Sequence, residues 1–132
     1  MASVLLTKRI EFAAAHRYIK AEWDEAKNRA VFGPCYNPPA HGHNYMVEVT
    51  VGGEVDPKTG MVVNLFDLKR ILLNVLEEFD HKNLNLDMPY FEGRIPTSEN
   101  LHGSSGPSWI RKKPSVRSTR FGCMRMRICM PR

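Results

Sequence analysis

Residues 41–51 have the sequence HGHNYMVEVTV, which joins a strand pattern to a chemical one. Successive side chains of a β-strand point to opposite faces of the sheet, so His41 and His43 share one face. The same face continues with apolar and aromatic side chains, at Tyr45, Val47, Val49 and Val51. The pattern predicts a strand whose packed face ends in two imidazoles. A metal ion can bind there next to apolar side chains that exclude water.

A third histidine, His16 in FAAAHRY, follows the first strand-like run of the chain. Three histidines with one open position are typical of a catalytic zinc site, in which substrate or water takes the fourth place. Any one of these histidines alone is more often a surface or core residue, and an H-x-H pair alone is a weak signal. The presence of Cys35 upstream and of the pair Asp80 and His81 downstream favours the metal site.

The length and composition limit the class of protein. A chain of 132 residues fits one domain. No apolar run approaches the roughly 20 residues of a membrane span. The apolar stretch within residues 1–12 is interrupted by charged residues too early for a signal peptide. Three cysteines, an odd number without framework spacing, indicate reduced thiols. We therefore expect a cytoplasmic protein without membrane partners.

Charge is distributed unevenly along the chain. Residues 1–101 carry 11 Lys and Arg against 14 Asp and Glu, whereas residues 102–132 carry 8 basic residues and no acidic residue. The main part of the chain therefore lacks the basic face of a nucleic-acid-binding protein. The basic tail leaves one alternative open, a non-catalytic zinc-binding protein whose tail binds nucleic acid. We regard a nucleic-acid partner as the less favoured hypothesis.

The remaining patterns predict an α+β domain. Alternation predicts strands at residues 4–12 and 43–55. Apolar residues at helical spacing predict an amphipathic helix over residues 65–79, with Asn64 as its N-cap. A shorter helix is predicted around Trp23–Ala30, before the glycine and proline that follow it.

Four separated motifs then agree in order and spacing. They are CYNPPAHGHNY (35–45), TGMVVNLFDLK (59–69), EEFDHKNLNLD (77–87) and PTSEN (96–100). Together they resemble the 6-pyruvoyl-tetrahydropterin synthase family, which includes the closely similar 6-carboxytetrahydropterin synthases of queuosine and deazaguanine biosynthesis. The resemblance covers residues 3–101. It implies the tunnelling fold, an antiparallel four-stranded sheet with two helices on one face, assembled as a homohexamer of two stacked trimeric barrels.

The resemblance also implies a role for each candidate site residue. The implied zinc ligands are His16, His41 and His43; the implied catalytic residues are Cys35, Asp80 and His81; the implied pterin-binding residues are Thr97, Ser98 and Glu99. Each catalytic or pterin-binding role has a plainer alternative. Cys35 suits a small buried residue, Asp80 and His81 suit a helix C-terminus, and Glu99 suits the first turn of a helix.

The implied reaction is a lyase reaction on 7,8-dihydroneopterin triphosphate, in the biosynthesis of tetrahydrobiopterin. Zinc would polarise the side-chain hydroxyls of the substrate, and the thiolate of Cys35 would take a proton from carbon. Asp80 would orient His81, which would relay protons. Triphosphate leaves and hydrogens shift internally, so no external redox cofactor is needed. The 6-carboxytetrahydropterin synthase reaction on the same substrate remains the alternative.

The chain departs from the family after residue 101. The family continues with a second helix and two strands, and a glutamate in the last pair anchors the pterin. Residues 102–132 contain no acidic residue, and their first part, HGSSGPSW, is a glycine, serine and proline cluster with no period, so we expect an irregular tail. We interpret residues 1–101 as an incomplete tunnelling-fold domain with two strands and one helix, and residues 102–132 as a basic, non-homologous frameshift product. Such a chain is expected to be impaired or inactive, and its assembly into the hexamer is doubtful.

Overall fold

The computed structural model describes residues 3–102 and 123–129. Its strands are β1 (Ser3–His16), β2 (His41–Glu54), β3 (Lys82–Asn83) and β4 (Cys123–Cys129). Its α-helices are α1 (Glu25–Phe32), α2 (Leu65–Leu76) and α3 (Ser98–His102), and short 3-10 turns lie at Gly33–Tyr36 and Pro89–Phe91. None of the helices in these residues combines the length and the apolar character needed to cross a membrane.

The sheet has the strand order β3-β1-β2-β4. β1 and β2 pair antiparallel along their whole lengths, from Ser3 opposite Glu54 to His16 opposite His41, and β3 pairs parallel with β1. The two predicted strands are therefore present, and both extend further than the sequence indicated. β1 continues through Ala13–Ala15 because these small residues keep the backbone ladder to β2, although they show no polar alternation.

Strand β4 corrects the expectation of an irregular tail. Cys123–Cys129 pair antiparallel with β2, from Gly52 opposite Cys123 to Met46 opposite Cys129. The physical reason lies in the sequence CMRMRIC, in which apolar and basic residues alternate with the period of a strand. The sheet thus has four strands instead of the expected two. The other tail residues, 103–122 and 130–132, lie outside the described residues.

Helix α2 covers one face of the sheet, as predicted. The side chain of Asn64 caps it by accepting a hydrogen bond from the N–H of Phe66 at 2.9 Å. Its buried residues are Leu68, Leu72, Val75 and Leu76. They join the core formed by the packed face of β1 and β2, where Tyr45, Val47 and Val49 are fully buried. The helix ends earlier than predicted because the chain turns after Leu76.

The segment between β1 and β2 is held by one buried amide. Asn28 on α1 is 2% exposed, and its Oδ1 accepts a hydrogen bond from the N–H of Lys20. Its Nδ2 donates to the carbonyl oxygens of Lys20, Trp23 and Asp24. These bonds fix the loop that follows His16. They therefore set the path of the chain toward the turn that carries Cys35.

Candidate metal centre and its surroundings

The strand register brings three histidines together at one end of the packed face. His16 lies directly opposite His41, and Ala14 lies opposite His43, so all three side chains are on one face. The Nε2 atoms of His16 and His41 are 3.1 Å apart. One ring nitrogen from each of the three histidines lies within 4.8 Å of the others. The sequence predicted this convergence.

The nitrogens of this cluster suit a divalent metal ion. Zinc bonds of about 2.0–2.1 Å in a tetrahedron place ligand nitrogens about 3.4 Å apart, close to the His16–His41 separation. Nδ1 of His41 and Nε2 of His43 are buried and have no hydrogen-bond partner among the residues that the structure describes. A buried polar atom without a partner costs about 1–3 kcal/mol. A metal ion bound through Nε2 of His43 would relieve that cost, so the residues fit the metal.

The surroundings of His16 and His43 keep these two imidazoles neutral. Burial, together with the nearby His43 and His41, lowers the pKa of His16 to about 4. A hydrogen bond to the backbone of Pro96 acts in the opposite direction and raises this pKa. Burial and the neighbouring His41 also lower the pKa of His43. Metal ligands must be deprotonated. Near neutral pH these nitrogens are therefore available to bind an ion without first losing a proton.

Tyr45 is a site residue that the sequence pattern did not single out. It is fully buried, and its hydroxyl lies 2.8 Å from Nδ1 of His16. Burial, with smaller contributions from Tyr18 and Cys35, raises its pKa, so the phenol stays neutral. We read Tyr45 as part of an apolar stripe. Its position two residues after His43 was the available signal, because that spacing puts the hydroxyl on the histidine face.

Cys35 lies on the cluster side of the sheet but outside the group of three ligand nitrogens. It is a half-buried free cysteine in the turn Gly33–Tyr36, and its carbonyl oxygen accepts the N–H of Tyr18 at 2.8 Å. The ring of Tyr18 in turn contacts that of His16, with centroids 4.7 Å apart. Burial, Cys35 and Glu99 raise the pKa of Tyr18 to about 12. Tyr18 therefore connects the cysteine turn to the histidine cluster.

Asp80 and His81 contact each other at the edge of β1 that faces β3. Oδ1 of Asp80 accepts the N–H of Ala13 at 2.9 Å, and Oδ2 lies 3.0 Å from Nδ1 of His81. The N–H of Ala13, and then His81, lower the pKa of Asp80. Ala13 is three residues from His16, about 10 Å along the strand. The structure thus joins Asp80 to His81 without placing either in the histidine cluster.

The backbone of His81 has an unusual conformation. Its φ is 59°, in the left-handed region that residues other than glycine rarely adopt. Its N–H nevertheless donates to the carbonyl of Ala13, and its side chain is 82% exposed. Such strain is often kept where a side chain has a function. A cleft of about 310 Å³ adjoins this region, lined by Glu11, Phe12, Leu73, Asn74, Leu76, Glu77 and Asp80.

The segment Thr97–Glu99 lies near the histidine cluster, because Pro96 before it contacts His16 and Glu99 lies near Tyr18. Thr97 caps α3, because its Oγ1 accepts the N–H of Asn100 at 3.1 Å. The hydroxyl of Ser98 is buried, and no residue in the described part of the chain forms a hydrogen bond with it. Glu99 is exposed, and its charge contributes to the raised pKa of Tyr18. These residues therefore lie on the same side of the molecule as the histidines and Cys35.

The lowered pKa of His16 gives a pH prediction for the metal-free protein. Between pH 6.5 and pH 4 the unfolded chain binds a proton at His16 that the folded chain does not, so stability falls as the pH falls. The free energy of unfolding is expected to drop by about 3 kcal/mol from this residue alone. Urea unfolding of the wild type and of His16→Gln at both pH values measures it. Equal pH dependence in the two proteins would contradict the prediction.

A sheet that is antiparallel except at the short strand β3, with α2 packed on one face and a histidine cluster on that same face, has the arrangement of a tunnelling-fold protein. The protein superposes on the solved structure of 6-pyruvoyl tetrahydropterin synthase from Caenorhabditis elegans with a TM-score of 0.77 and 33% identity. That likeness covers 100% of this chain and 98% of the other. The family model described as 6-pyruvoyl tetrahydropterin synthase matches residues 5–128, and the chain belongs to this family.

Relatives of known sequence agree with this membership. The 6-pyruvoyl tetrahydrobiopterin synthase of Homo sapiens is 47% identical over 97 residues, which are 73% of this chain and 67% of the relative. The enzyme of that name from Drosophila melanogaster is 46% identical over 97 residues, 73% of this chain and 58% of the relative. The aligned part thus spans about two thirds of the human relative and less of the fly relative. These comparisons confirm the family predicted from the four motifs and support a pterin-synthase type of function.

Proposed function

We propose that this chain is a zinc-dependent lyase of the 6-pyruvoyl-tetrahydropterin synthase type, with 7,8-dihydroneopterin triphosphate as its substrate. The observation that carries the proposal is the convergence of His16, His41 and His43 within 4.8 Å on a buried face. The names of the relatives give the class of reaction. Zinc bound by the three imidazoles would supply Lewis-acid polarisation of a substrate oxygen.

The side chains around the cluster have separate proposed roles. Cys35, as a thiolate, takes a proton from a substrate carbon. Asp80 is ionised because its pKa is lowered, and it holds Nδ1 of His81 at 3.0 Å. The exposed Nε2 of His81 is then free to give or take a proton.

We propose that the pterin ring binds at the start of α3. The buried hydroxyl of Ser98 has no partner within the described residues, so it can bond to a ligand. Glu99 offers an exposed carboxylate, which suits the N–H donors of an amino-pyrimidine edge. Thr97 orders this segment by capping the helix. Alanine at Ser98 or Glu99 would then raise KM.

The product of the reaction tests the proposal. Zinc-loaded protein, in excess over 7,8-dihydroneopterin triphosphate, is expected to release triphosphate and form the 6-pyruvoyl product, detected by mass spectrometry. A 6-carboxy product with acetaldehyde would instead indicate the alternative in queuosine biosynthesis. That alternative is favoured by one relative, a putative 6-carboxy-5,6,7,8-tetrahydropterin synthase from Archaeoglobus fulgidus, 49% identical over 61 residues, 46% of this chain and 48% of that relative. Because an impaired chain can also give neither product, the absence of both products contradicts both assignments only in a zinc-loaded variant whose family-like reading frame is restored after residue 101.

We further propose that residues 102–132 arise from a shifted reading frame and that they impair the enzyme. Their 8 basic and no acidic residues support this, since no carboxylate there can anchor a pterin. Sequencing of the coding DNA tests it. An insertion or deletion of one base near codon 101 is expected to restore a family-like frame. If no such change restores that frame, the tail is a genuine part of the protein.

Two properties of the protein in solution are also proposals. Because residues 102–132 carry 8 basic residues and no acidic residue, we propose that this chain does not form the homohexamer. Light scattering on the purified protein tests this, and a mass of six chains would contradict it. The free thiols of Cys35 and Cys129 support a reducing, cytoplasmic location. Fractionation of cells that express the protein tests the location.

A further inference from the structure

Tyr45 is fixed in position next to the histidine cluster. It is fully buried on β2, opposite Phe12 in the strand register. The two rings are stacked, with centroids 5.0 Å apart and planes 13° from parallel. This stacking holds the phenol in one place. Its hydroxyl is thereby kept 2.8 Å from Nδ1 of His16, a side chain that is itself fully buried.

The position of the proton on His16 decides whether its other nitrogen can bind a metal. A neutral imidazole carries its proton on one nitrogen and has a lone pair on the other. If the proton lay on Nε2, this atom would point an N–H at Nε2 of His41, 3.1 Å away, and could not bind an ion. If the proton lies on Nδ1, Nε2 is a free ligand.

We propose that Tyr45 is a positioning residue for the metal centre, and this rests on the proposed metal function. Its hydroxyl oxygen accepts a hydrogen bond from Nδ1–H of His16, and this bond keeps the lone pair of Nε2 directed into the cluster. Histidine ligands commonly need such a partner, whose loss lowers metal affinity by about 10- to 100-fold. Because His16 is fully buried, bulk water does not replace the hydroxyl.

The test is the zinc affinity of Tyr45→Phe, measured by competition with a chromogenic chelator. The variant keeps the ring that stacks on Phe12 and loses only the hydroxyl. Its affinity is expected to fall by about 10- to 100-fold. Tyr18→Phe is the matched control, since its ring lies nearer to that of His16 than the ring of Tyr45 does, at 4.7 Å against 6.2 Å. The control is expected to stay within twofold of the wild type.

A second measurement needs no variant. Nitrogen-15 NMR of the zinc-loaded wild type is expected to show His16 protonated on Nδ1, with this proton protected from exchange with solvent. Wild-type zinc affinity in Tyr45→Phe, or His16 bound through Nδ1, would overturn the inference. Failure of the wild type itself to bind zinc would instead overturn the proposed metal function, so the two failures are distinguishable.

Discussion

Alanine in place of His43 is expected to lower the zinc affinity of the protein by about 100- to 1,000-fold. A zinc site with four protein ligands is worth about 10–16 kcal/mol, so one ligand accounts for about 3–4 kcal/mol. Each 1.4 kcal/mol changes a binding constant about tenfold. Nε2 of His43 is buried and has no hydrogen bond to any residue within 3–102 and 123–129, so its removal takes away a ligand atom and breaks no hydrogen bond to these residues. Competition with a chelator of known affinity measures the change.

The metal-free His43→Ala protein has a second expected signature. His43 is one of the groups that hold the pKa of His16 at about 4, so its removal should raise that pKa toward 6.5. The free energy of unfolding is expected to change little, because two effects oppose each other. The lost packing of the ring destabilises the fold, whereas removal of a buried nitrogen that lacks a partner stabilises it. NMR titration of the His16 ring and urea unfolding measure these two quantities.

Asn44→Ala is the matched control for the metal prediction. Asn44 follows His43 on β2, but it is exposed and points to the opposite face of the sheet. Its replacement should leave both the zinc affinity and the pKa of His16 as they are in the wild type. If His43→Ala binds zinc as tightly as Asn44→Ala does, the three histidines are not a metal site.

The histidine cluster could be predicted because it depends on a simple rule of strands. His41 and His43 share a face whenever this segment is a strand, whatever it pairs with. The place of His16 depends on the register of β1 against β2, which the sequence does not reveal. The alternation that marks β1 fades at Ala13–Ala15, just before the histidine. The sequence indicated His16 as a third ligand by its place at the end of the first strand-like run, and the family resemblance supported that assignment.

Other features depend on packing that no local pattern records. Asp80 and His81 are neighbours in sequence, so their contact was predictable. Their distance from the cluster was not, because it follows from the turn after α2 and from the left-handed backbone of His81. Strand β4 was missed although Cys123–Cys129 alternate, because the charge of the whole tail suggested irregular structure. Alternation over seven residues is a stronger indication of a strand than the positive charge of the whole tail is of irregular structure, when a long strand is available to pair with it.

Replacement of Cys35 by alanine is expected to lower the rate of turnover by about 100- to 10,000-fold, the usual contribution of a general base. Zinc affinity should stay unchanged, because Cys35 is not among the three residues whose ligand atoms converge. The rate is measured with enzyme in excess over 7,8-dihydroneopterin triphosphate, so that slow turnover by this chain is still seen. Zinc affinity is measured on the same samples.

Two variants separate the chemistry of the thiol from its packing. Cys35→Ser keeps a side chain of similar size but has a far weaker base, so its rate should fall nearly as far as that of Cys35→Ala. Cys129→Ala removes the exposed free cysteine whose sulfur lies 3.7 Å from the carbonyl oxygen of Met46, and it should turn over at the wild-type rate. Loss of zinc binding in Cys35→Ala would indicate that the thiol is a metal ligand. An unchanged rate with zinc bound would leave another group to take the proton, and His81 would be the next to replace.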